Sequence, residues 1–219
     1  MENIKTYYRR NLPHYQPPNA TFFVTSRLAG SLPEEVIARL KEEYEQNEKL
    51  LLKIKNEKER KQKLNVERKR YFVRFDELLD KATEGPHWLK DERVAGEVAE
   101  AIHFRDGKKY ELIAYCIMPN HVHLVFYVGR NAVSTKRSNA SRYILAPILQ
   151  SLKGYTAHKA NKILNRTGAF WQHESYDHLV QDGRELERVI AYVLNNPVKA
   201  GLVSTWQEWK WSYVQERFL

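Results

Sequence analysis

Polar and apolar residues alternate along residues 121–128, HVHLVFYV, in the manner of a β-strand. Val122, Leu124 and the other even positions form a wholly apolar face, which we expect to be buried against helices. His121 and His123 lie on the opposite face. The pattern therefore predicts a half-buried strand whose two imidazoles stand side by side on the open face, close enough to bind one ion.

The remaining pattern predicts helices and strands in mixed order. Strands are expected over 19–30, over the hairpin YELIAYCIMP–HVHLVFYV with its tight MPN connection, and over HESYDHLVQ. Helices are expected from Ser31, over 145–164, and from Asp182, paired with Glu185 in a capping box, to a stop at Pro197. Adjacent antiparallel strands between helices predict an α+β sandwich with a central antiparallel sheet.

A long charged segment interrupts this pattern. Residues 41–70 are mostly Lys, Glu, Arg, Asn and Gln, which fits either a projecting helical arm or a partly disordered insertion. Because its charges alternate in sign, a solvated helix is favoured over a DNA contact. We expect one domain over 1–219, with a helical insertion at about 33–84 and an aromatic C-terminal tail at about 201–219 that packs on the body.

The charge distribution points to a polyanionic partner. The net charge is +9, and no Asp or Glu occurs between Glu111 and Glu174, where eight basic residues lie. A basic surface of this kind attracts nucleic acid, although a merely solvated basic face has the same composition. The single cysteine, Cys116, excludes an internal disulfide and a multi-cysteine zinc cluster. No apolar segment long enough for a membrane span is present, so a cytosolic protein without a membrane partner is expected.

Two neutral imidazoles suit a divalent metal ion that acts as a Lewis acid on a phosphoryl oxygen. A bare His-x-His is equally compatible with two unrelated polar residues. Val125 stands where a histidine-triad hydrolase needs another histidine, and the acid-free stretch offers no local third zinc ligand. Any metal shell must therefore be completed from elsewhere in the chain.

The last predicted helix carries a second candidate group. Tyr192 and Asn196 are one turn apart and flank the apolar stripe that contains Ile190 and Val193. A phenol in this position can attack a phosphate, and the Asn196 amide oxygen can bind a metal. A boundary tyrosine and an ordinary helix stop are the alternatives. Tyr155, in the basic segment LKGYTAHKANK, is a rival nucleophile.

Several motifs in sequence order resemble those of one family. MPNHVHLVF, FWQHESYDHLV, YVLNNPVKAGLV and the opening RRNLPHYQPPNATFFVTSRLAGSLP are similar to the REP-associated tyrosine transposases. These are relatives of the single-tyrosine insertion-sequence transposases in the His-hydrophobic-His endonuclease superfamily. The resemblance implies a ferredoxin-like sandwich, Mg or Mn held by His121 and His123, and Tyr192 as nucleophile in a Tyr-x-x-x-Asn motif with Asn196.

The resemblance also implies a reaction and a partner. Tyr192 would attack single-stranded or hairpin DNA, leaving a 5′-phosphotyrosine and a free 3′-OH, without a nucleotide cofactor. It further implies a monomer or homodimer associated with the nucleoid in the bacterial cytoplasm. The candidate DNA contacts are Lys153, Tyr155, Lys159, Lys162 and Arg166, together with Arg9 and Arg10 near the N-terminus.

Two other functions remain open. A domesticated protein of this fold would bind DNA or RNA hairpins without cleaving them, although retention of Tyr192 and both histidines favours an enzyme. An RNA-binding or processing protein is compatible with the basic stretch, and only the order of the motifs disfavours it.

Overall fold

The computed structural model describes residues 7–9, 13–129 and 143–219. The chain forms two compact units, one of which spans residues 30–86, while the other contains the residues before 30 and those from 87 onward. We refer to them as the helical unit and the main unit.

The main unit is built on an antiparallel sheet of five strands. Its spatial order is β6-β3-β5-β4-β7, and every neighbouring pair is antiparallel. A separate two-stranded hairpin lies near the N-terminus. The strands are β1 (Tyr7–Arg9), β2 (Pro13–Tyr15), β3 (Ala20–Arg27), β4 (Glu111–Ile117), β5 (His121–Val128), β6 (Tyr176–Val180) and β7 (Ser212–Val214).

Five α-helices occur in the described part of the chain, two in the helical unit and three in the main unit. None of them combines the length and apolar character that a membrane span requires. The helices are α1 (Glu34–Leu51), α2 (Glu57–Lys81), α3 (Glu92–Arg105), α4 (Leu145–Ile163) and α5 (Gly183–Lys199).

The order β3-α3-β4-β5-α4-β6, with strands arranged β6-β3-β5-β4, is that of a ferredoxin-like sandwich, so the predicted fold class is confirmed. The apolar faces of β3 and β5 pack against α3 and α4 in one core. Phe22 and Phe126, whose ring centroids are 6.3 Å apart, lie in this core and are fully buried. The face of β5 that was predicted to be buried is therefore correctly assigned.

The other face of β5 differs from the prediction. His121 and His123 have no exposed surface, and α5 packs against β4 and β5. The strand is therefore buried on both faces rather than half buried. Alternation alone does not reveal this, because a polar strand face is open to solvent only where no other part of the chain covers it.

The last helix also extends further than predicted. Its start is as expected, since the Asp182 carboxylate accepts a hydrogen bond from the Glu185 backbone N–H at 2.8 Å. It continues through Pro197 to Lys199, however. Proline lacks the N–H for one helical bond, but the next N–H groups still bond within the helix, as Ala200 does to the Asn196 carbonyl at 2.9 Å.

Three further elements differ from the sequence prediction. α1 begins at Glu34 with Pro33 in the cap position, so the predicted Ser31 cap does not form. The β1–β2 hairpin was not predicted, since both strands are only three residues long. The aromatic tail does pack on the body, but it also supplies β7, which pairs with β4 at Ala114 to Cys116.

The helical unit is an antiparallel pair of charged helices. Asn56 caps α2 by accepting a hydrogen bond from the Glu59 N–H at 3.0 Å. The Asn47 amide donates to Glu67 at 2.8 Å, and the rings of Tyr44 and Tyr71 lie 5.1 Å apart between the helices. These contacts explain why the helical unit is folded despite the polar sequence of residues 41–70.

Candidate active site

The two histidines of β5 face each other through the same ring atom. Nε2 of His121 lies 3.0 Å from Nε2 of His123, and the ring centroids are 4.6 Å apart. Alternation along the strand places both rings on one side of the sheet. The arrangement presents two ring nitrogens to the same point in space.

The outer nitrogen of each ring has a defined partner. Nδ1 of His121 lies 2.7 Å from the Asn120 side-chain oxygen, and Nδ1 of His123 lies 2.8 Å from the Thr25 hydroxyl. An amide oxygen accepts only, so Nδ1 of His121 donates to it, and in the neutral ring Nε2 then keeps a lone pair. The Thr25 hydroxyl can accept from His123 in the same way. Both Nε2 atoms are then available as ligands.

Three segments fix the positions of these groups. Thr25 is directly opposite His123 in the β3–β5 ladder. The short connection between β4 and β5 holds Asn120, whose carbonyl accepts the Leu28 N–H at 2.9 Å. All four side chains are buried, so their orientations are constrained by packing as well as by hydrogen bonds.

Tyr192 comes from α5, far along the sequence, and lies beside the histidines. Its ring centroid is 5.9 Å from that of His123, with the planes inclined by 66°. Phe23 of β3 packs against both rings, at 5.5 Å from His123 and 6.2 Å from Tyr192. The tyrosine is partly exposed, whereas the histidines are not. A phenol with solvent access therefore borders the histidine pair.

Asn196 and Lys199 lie on the same helix as Tyr192. Asn196, one turn after the tyrosine, is 1% exposed. Lys199 is exposed, and its Nζ lies 5.8 Å from the centroid of the Tyr192 ring. The helix thus carries a phenol, an amide and an ammonium group within two turns, and the phenol ring lies beside His123 of β5.

The histidine pair meets the geometric requirement of a metal chelate. Metal–imidazole bonds are about 2.1 Å long, so two ligands at a right angle are separated by about 3.0 Å. The observed Nε2–Nε2 distance has this value. Each Nδ1 also has an oxygen partner, the Asn120 amide oxygen or the Thr25 hydroxyl, as the outer nitrogen of a metal-bound histidine commonly does.

Comparison with known proteins places this site in a family. Residues 86–196, just over half of the chain, match the family model described as Transposase IS200 like. The matched segment includes both histidines, Tyr192 and Asn196. The chain belongs to the IS200-like transposase family.

Individual relatives agree with this family. A protein of Haemophilus influenzae, provisionally assigned as a REP-associated tyrosine transposase, is 28% identical over 104 residues, covering 47% of this chain and 58% of the relative. The chain thus matches less than two thirds of that relative's length. A solved structure of a REP-associated tyrosine transposase bound to a REP hairpin has a TM-score of 0.50 at 16% identity, over 94% of this chain and 80% of the other. This last likeness shows the fold.

In this member of the family, the basic helix α4 lies on the opposite side of the sheet from Tyr192. Ile148 and Leu152 of α4 belong to the core that packs on the apolar face of β5. Tyr155, which is 44% exposed, lies between Arg105 and Lys159, with cationic groups 5.7 and 5.6 Å from its ring centroid. The rival nucleophile is therefore separated from the histidine pair by the sheet.

The four cationic candidates between 153 and 166 have different surroundings. The Lys153 ammonium donates to the carbonyls of Gln172 and His173 and to the Ser175 hydroxyl, at 2.6, 3.0 and 3.1 Å. Burial, reinforced by the charge of Arg27, lowers its pKa to about 8. These three bonds use the full donor capacity of the ammonium group.

Lys159, Lys162 and Arg166 lie nearer the surface. Lys159 pairs with Glu97 at 3.4 Å, so a carboxylate from α3 offsets part of the charge of the acid-free stretch. Lys162 is exposed. The Arg166 guanidinium stacks 3.7 Å from the Trp88 ring centroid. Among the other candidates, Arg9 ends β1, and Arg10 lies outside the described residues.

Sequence reasoning missed three residues beside the histidines and the tyrosine. Asn120 directly precedes His121, so its position in the connection was a usable signal. Thr25 is almost a hundred residues from His123 and becomes its neighbour only through strand pairing, which the sequence does not specify. Lys199 was missed because the helix was expected to stop at Pro197.

Proposed function

We propose that the protein is a metal-dependent single-stranded DNA endonuclease and strand transferase that acts on hairpin DNA through Tyr192. The observation that carries the proposal is the contact of the Tyr192 ring with His123, at 5.9 Å, beside a histidine pair with chelating geometry. Membership of a transposase family supports the same conclusion.

Each residue has a defined task in this reaction. Tyr192 Oη attacks the phosphorus of a phosphodiester, forming an O–P bond while the P–O3′ bond breaks. The phenol proton passes to water or a base, and the departing 3′ oxygen becomes a 3′-OH. The strand on the 3′ side remains attached through its 5′-phosphate, so the reverse attack by a 3′-OH rejoins DNA without an external energy source.

His121, His123 and Asn196 are the proposed ligands of Mg or Mn. Such an ion supplies Lewis-acid stabilisation of negative charge on the phosphate. Thr25 and Asn120 hold the outer nitrogen of each ring, so that when each Nδ1 donates to its oxygen, both Nε2 atoms offer lone pairs. The pair fits a divalent ion in both distance and tautomer.

Hairpin or single-stranded DNA is the proposed partner. Its support is the REP hairpin bound by the solved relative, together with the cationic and aromatic surface of α4. Tyr155, Lys159, Lys162 and Arg166 are the proposed contacts, with Arg9 and Arg10 contributing from the N-terminal segment. Lys153, the remaining candidate DNA contact, would act indirectly, because its three bonds hold residues 172–175 in place.

Adduct formation tests the proposal. The full chain is incubated with Mn²⁺ or Mg²⁺ and single-stranded DNA containing an imperfect hairpin, and covalent protein–DNA adducts are resolved under denaturing conditions. Wild type and Tyr155→Phe should form a metal-dependent adduct, whereas Tyr192→Phe should bind the DNA and form none. Absence of an adduct from wild type across such substrates, with DNA binding intact, contradicts the proposal.

A second candidate is a hairpin-binding protein without cleavage activity. The observation that favours it is the complete burial of His121 and His123, since a phosphate must reach an ion held there. The same assay separates the two functions, because a binding protein shifts the DNA in a native gel without forming an adduct under denaturing conditions.

A further inference from the structure

Lys199 extends the site beyond the groups named so far. Its Nζ lies 5.8 Å from the centroid of the Tyr192 ring, and it follows the tyrosine by two turns on one face of α5. Lys199 is exposed and Tyr192 is partly exposed, so both can be reached by a strand of DNA. This juxtaposition depends on the continuation of α5 through Pro197.

A cation near the end of a helix has an ordinary structural explanation. Lys199 lies in the last turn of α5, where a positive charge interacts favourably with the helix dipole. That explanation accounts for stability but does not require the ammonium to approach the tyrosine ring. If Lys199 only stabilises the helix, its substitution should lower the melting temperature. If it takes part in the chemistry, substitution should slow adduct formation.

The Lys199 ammonium lies near the ring whose hydroxyl is the proposed nucleophile. Phosphoryl transfer spreads negative charge over the phosphate oxygens, and the attacked phosphorus must lie one bond from Tyr192 Oη. A cation held beside that oxygen stabilises the transition state more than the ground state. Lysine suits this task because its compact charge sits on a flexible stem and can follow the phosphate.

We propose that Lys199 contacts the phosphate attacked by Tyr192 and stabilises the negative charge that develops on its non-bridging oxygens. The inference rests on the proposed function. Lys199 would contact the phosphate directly from α5, whereas His121 and His123 of β5 are proposed to bind the metal ion.

Single-turnover kinetics test this assignment. The rate of adduct formation at saturating hairpin DNA is compared among wild type, Lys199→Met and Lys199→Arg, with Lys61→Met in the helical unit as a control for loss of one exposed lysine. Melting temperature and DNA affinity are measured for each variant. Lys199→Met should slow adduct formation by about 10²-fold. Lys199→Arg should stay within a few-fold of wild type, as should Lys61→Met.

The possible outcomes distinguish this inference from the proposed function. If Lys199→Met forms the adduct at the wild-type rate, or loses only DNA affinity or thermal stability, the assignment of Lys199 is wrong while the proposed function stands. If Lys199→Met and Lys199→Arg slow adduct formation equally, the assignment is also wrong, because the loss of rate would not result from the loss of positive charge. If wild type forms no adduct, the proposed function fails and this inference fails with it.

Discussion

Nε2 of His121 and Nε2 of His123 are 3.0 Å apart, and each ring is held at its opposite nitrogen by a neighbouring oxygen. Without an ion between them, a contact at this distance requires that one Nε2 carries a proton and donates it to the other. With an ion, both become ligands. The relationship therefore makes divalent metal binding the first property to measure.

Removal of either histidine should abolish high-affinity metal binding. We expect His121→Ala and His123→Ala each to weaken Mn²⁺ binding by at least about 10²-fold, since a two-imidazole chelate loses half of its histidine ligands. Isothermal titration calorimetry of the DNA-free protein measures this directly. His158→Ala, at an exposed position of α4, is the control. Unchanged affinity in both β5 variants would rule out the histidine pair as the metal site.

The Thr25 hydroxyl, which contacts Nδ1 of His123, should affect metal affinity almost as much as the histidines do. Thr25→Val keeps the shape of the side chain but removes the acceptor for Nδ1, so the ring loses its fixed tautomer. A loss of about 10- to 100-fold in Mn²⁺ affinity is expected. Thr21→Val, on the same face of β3, should leave the affinity unchanged. Equal effects of the two substitutions would show that the Thr25 hydroxyl has no specific role.

The basic surface of α4 should affect DNA binding and leave the chemical step intact. Lys162→Glu is expected to weaken hairpin binding several-fold and to lower the salt dependence of log K. Its effect on adduct formation at saturating DNA should be small, since α4 packs on the other face of the sheet. Lys63→Glu in α2, where the lysine pairs with Glu59, provides a matched charge reversal. If Lys162→Glu and Lys63→Glu lose the same hairpin affinity, the effect of Lys162 is nonspecific electrostatic attraction rather than a DNA contact at α4.

A buried histidine outside the site should make stability depend on pH. His14 of β2 contacts Asp177 of β6 and lies 3.2 Å from Glu174. Burial lowers its pKa, but hydrogen bonds to these two carboxylates outweigh burial and raise the pKa to about 9. Because the folded pKa exceeds the unfolded value of about 6.5, the stabilisation is complete below about pH 6.5 and is lost as the pH rises through about 9.

Urea unfolding of wild type and His14→Gln across this range tests the linkage. The difference in free energy of unfolding should be largest near pH 6, at about 1 to 3 kcal/mol for a charge-assisted hydrogen bond, and should shrink toward pH 10. A difference that is constant across the range would mean that protonated His14 does not stabilise the fold.

Several features of the site were predictable from local pattern. Alternation along residues 121–128 placed His121 and His123 on one face, and helical periodicity placed Tyr192 and Asn196 on one side of α5. Periodicity does not predict the contact between β5 and α5. It shows which residues share a face of one element, but not which other element packs against that face. Only resemblance to a family connected them.

Other features depend on packing that sequence patterns do not describe. The acid-free stretch suggested a continuous basic surface, but Glu97 of α3 pairs with Lys159 and the Lys153 ammonium is bound by carbonyl oxygens. The histidine face is buried, and α5 packs against β4 and β5, which no pattern within β5 indicates. A rule that polar residues mark open surfaces fails at such a site, where polar groups are buried and paired.

The most direct test of the central claim is to identify the residue that becomes linked to DNA. The covalent adduct formed with hairpin DNA and Mn²⁺ is digested with nuclease and protease, and the modified peptide is sequenced by mass spectrometry. The account predicts a 5′-phosphate linked to Tyr192 Oη, within the α5 peptide. A phosphate on Tyr155 or another residue, or a linkage through the 3′ end of the strand, would contradict it.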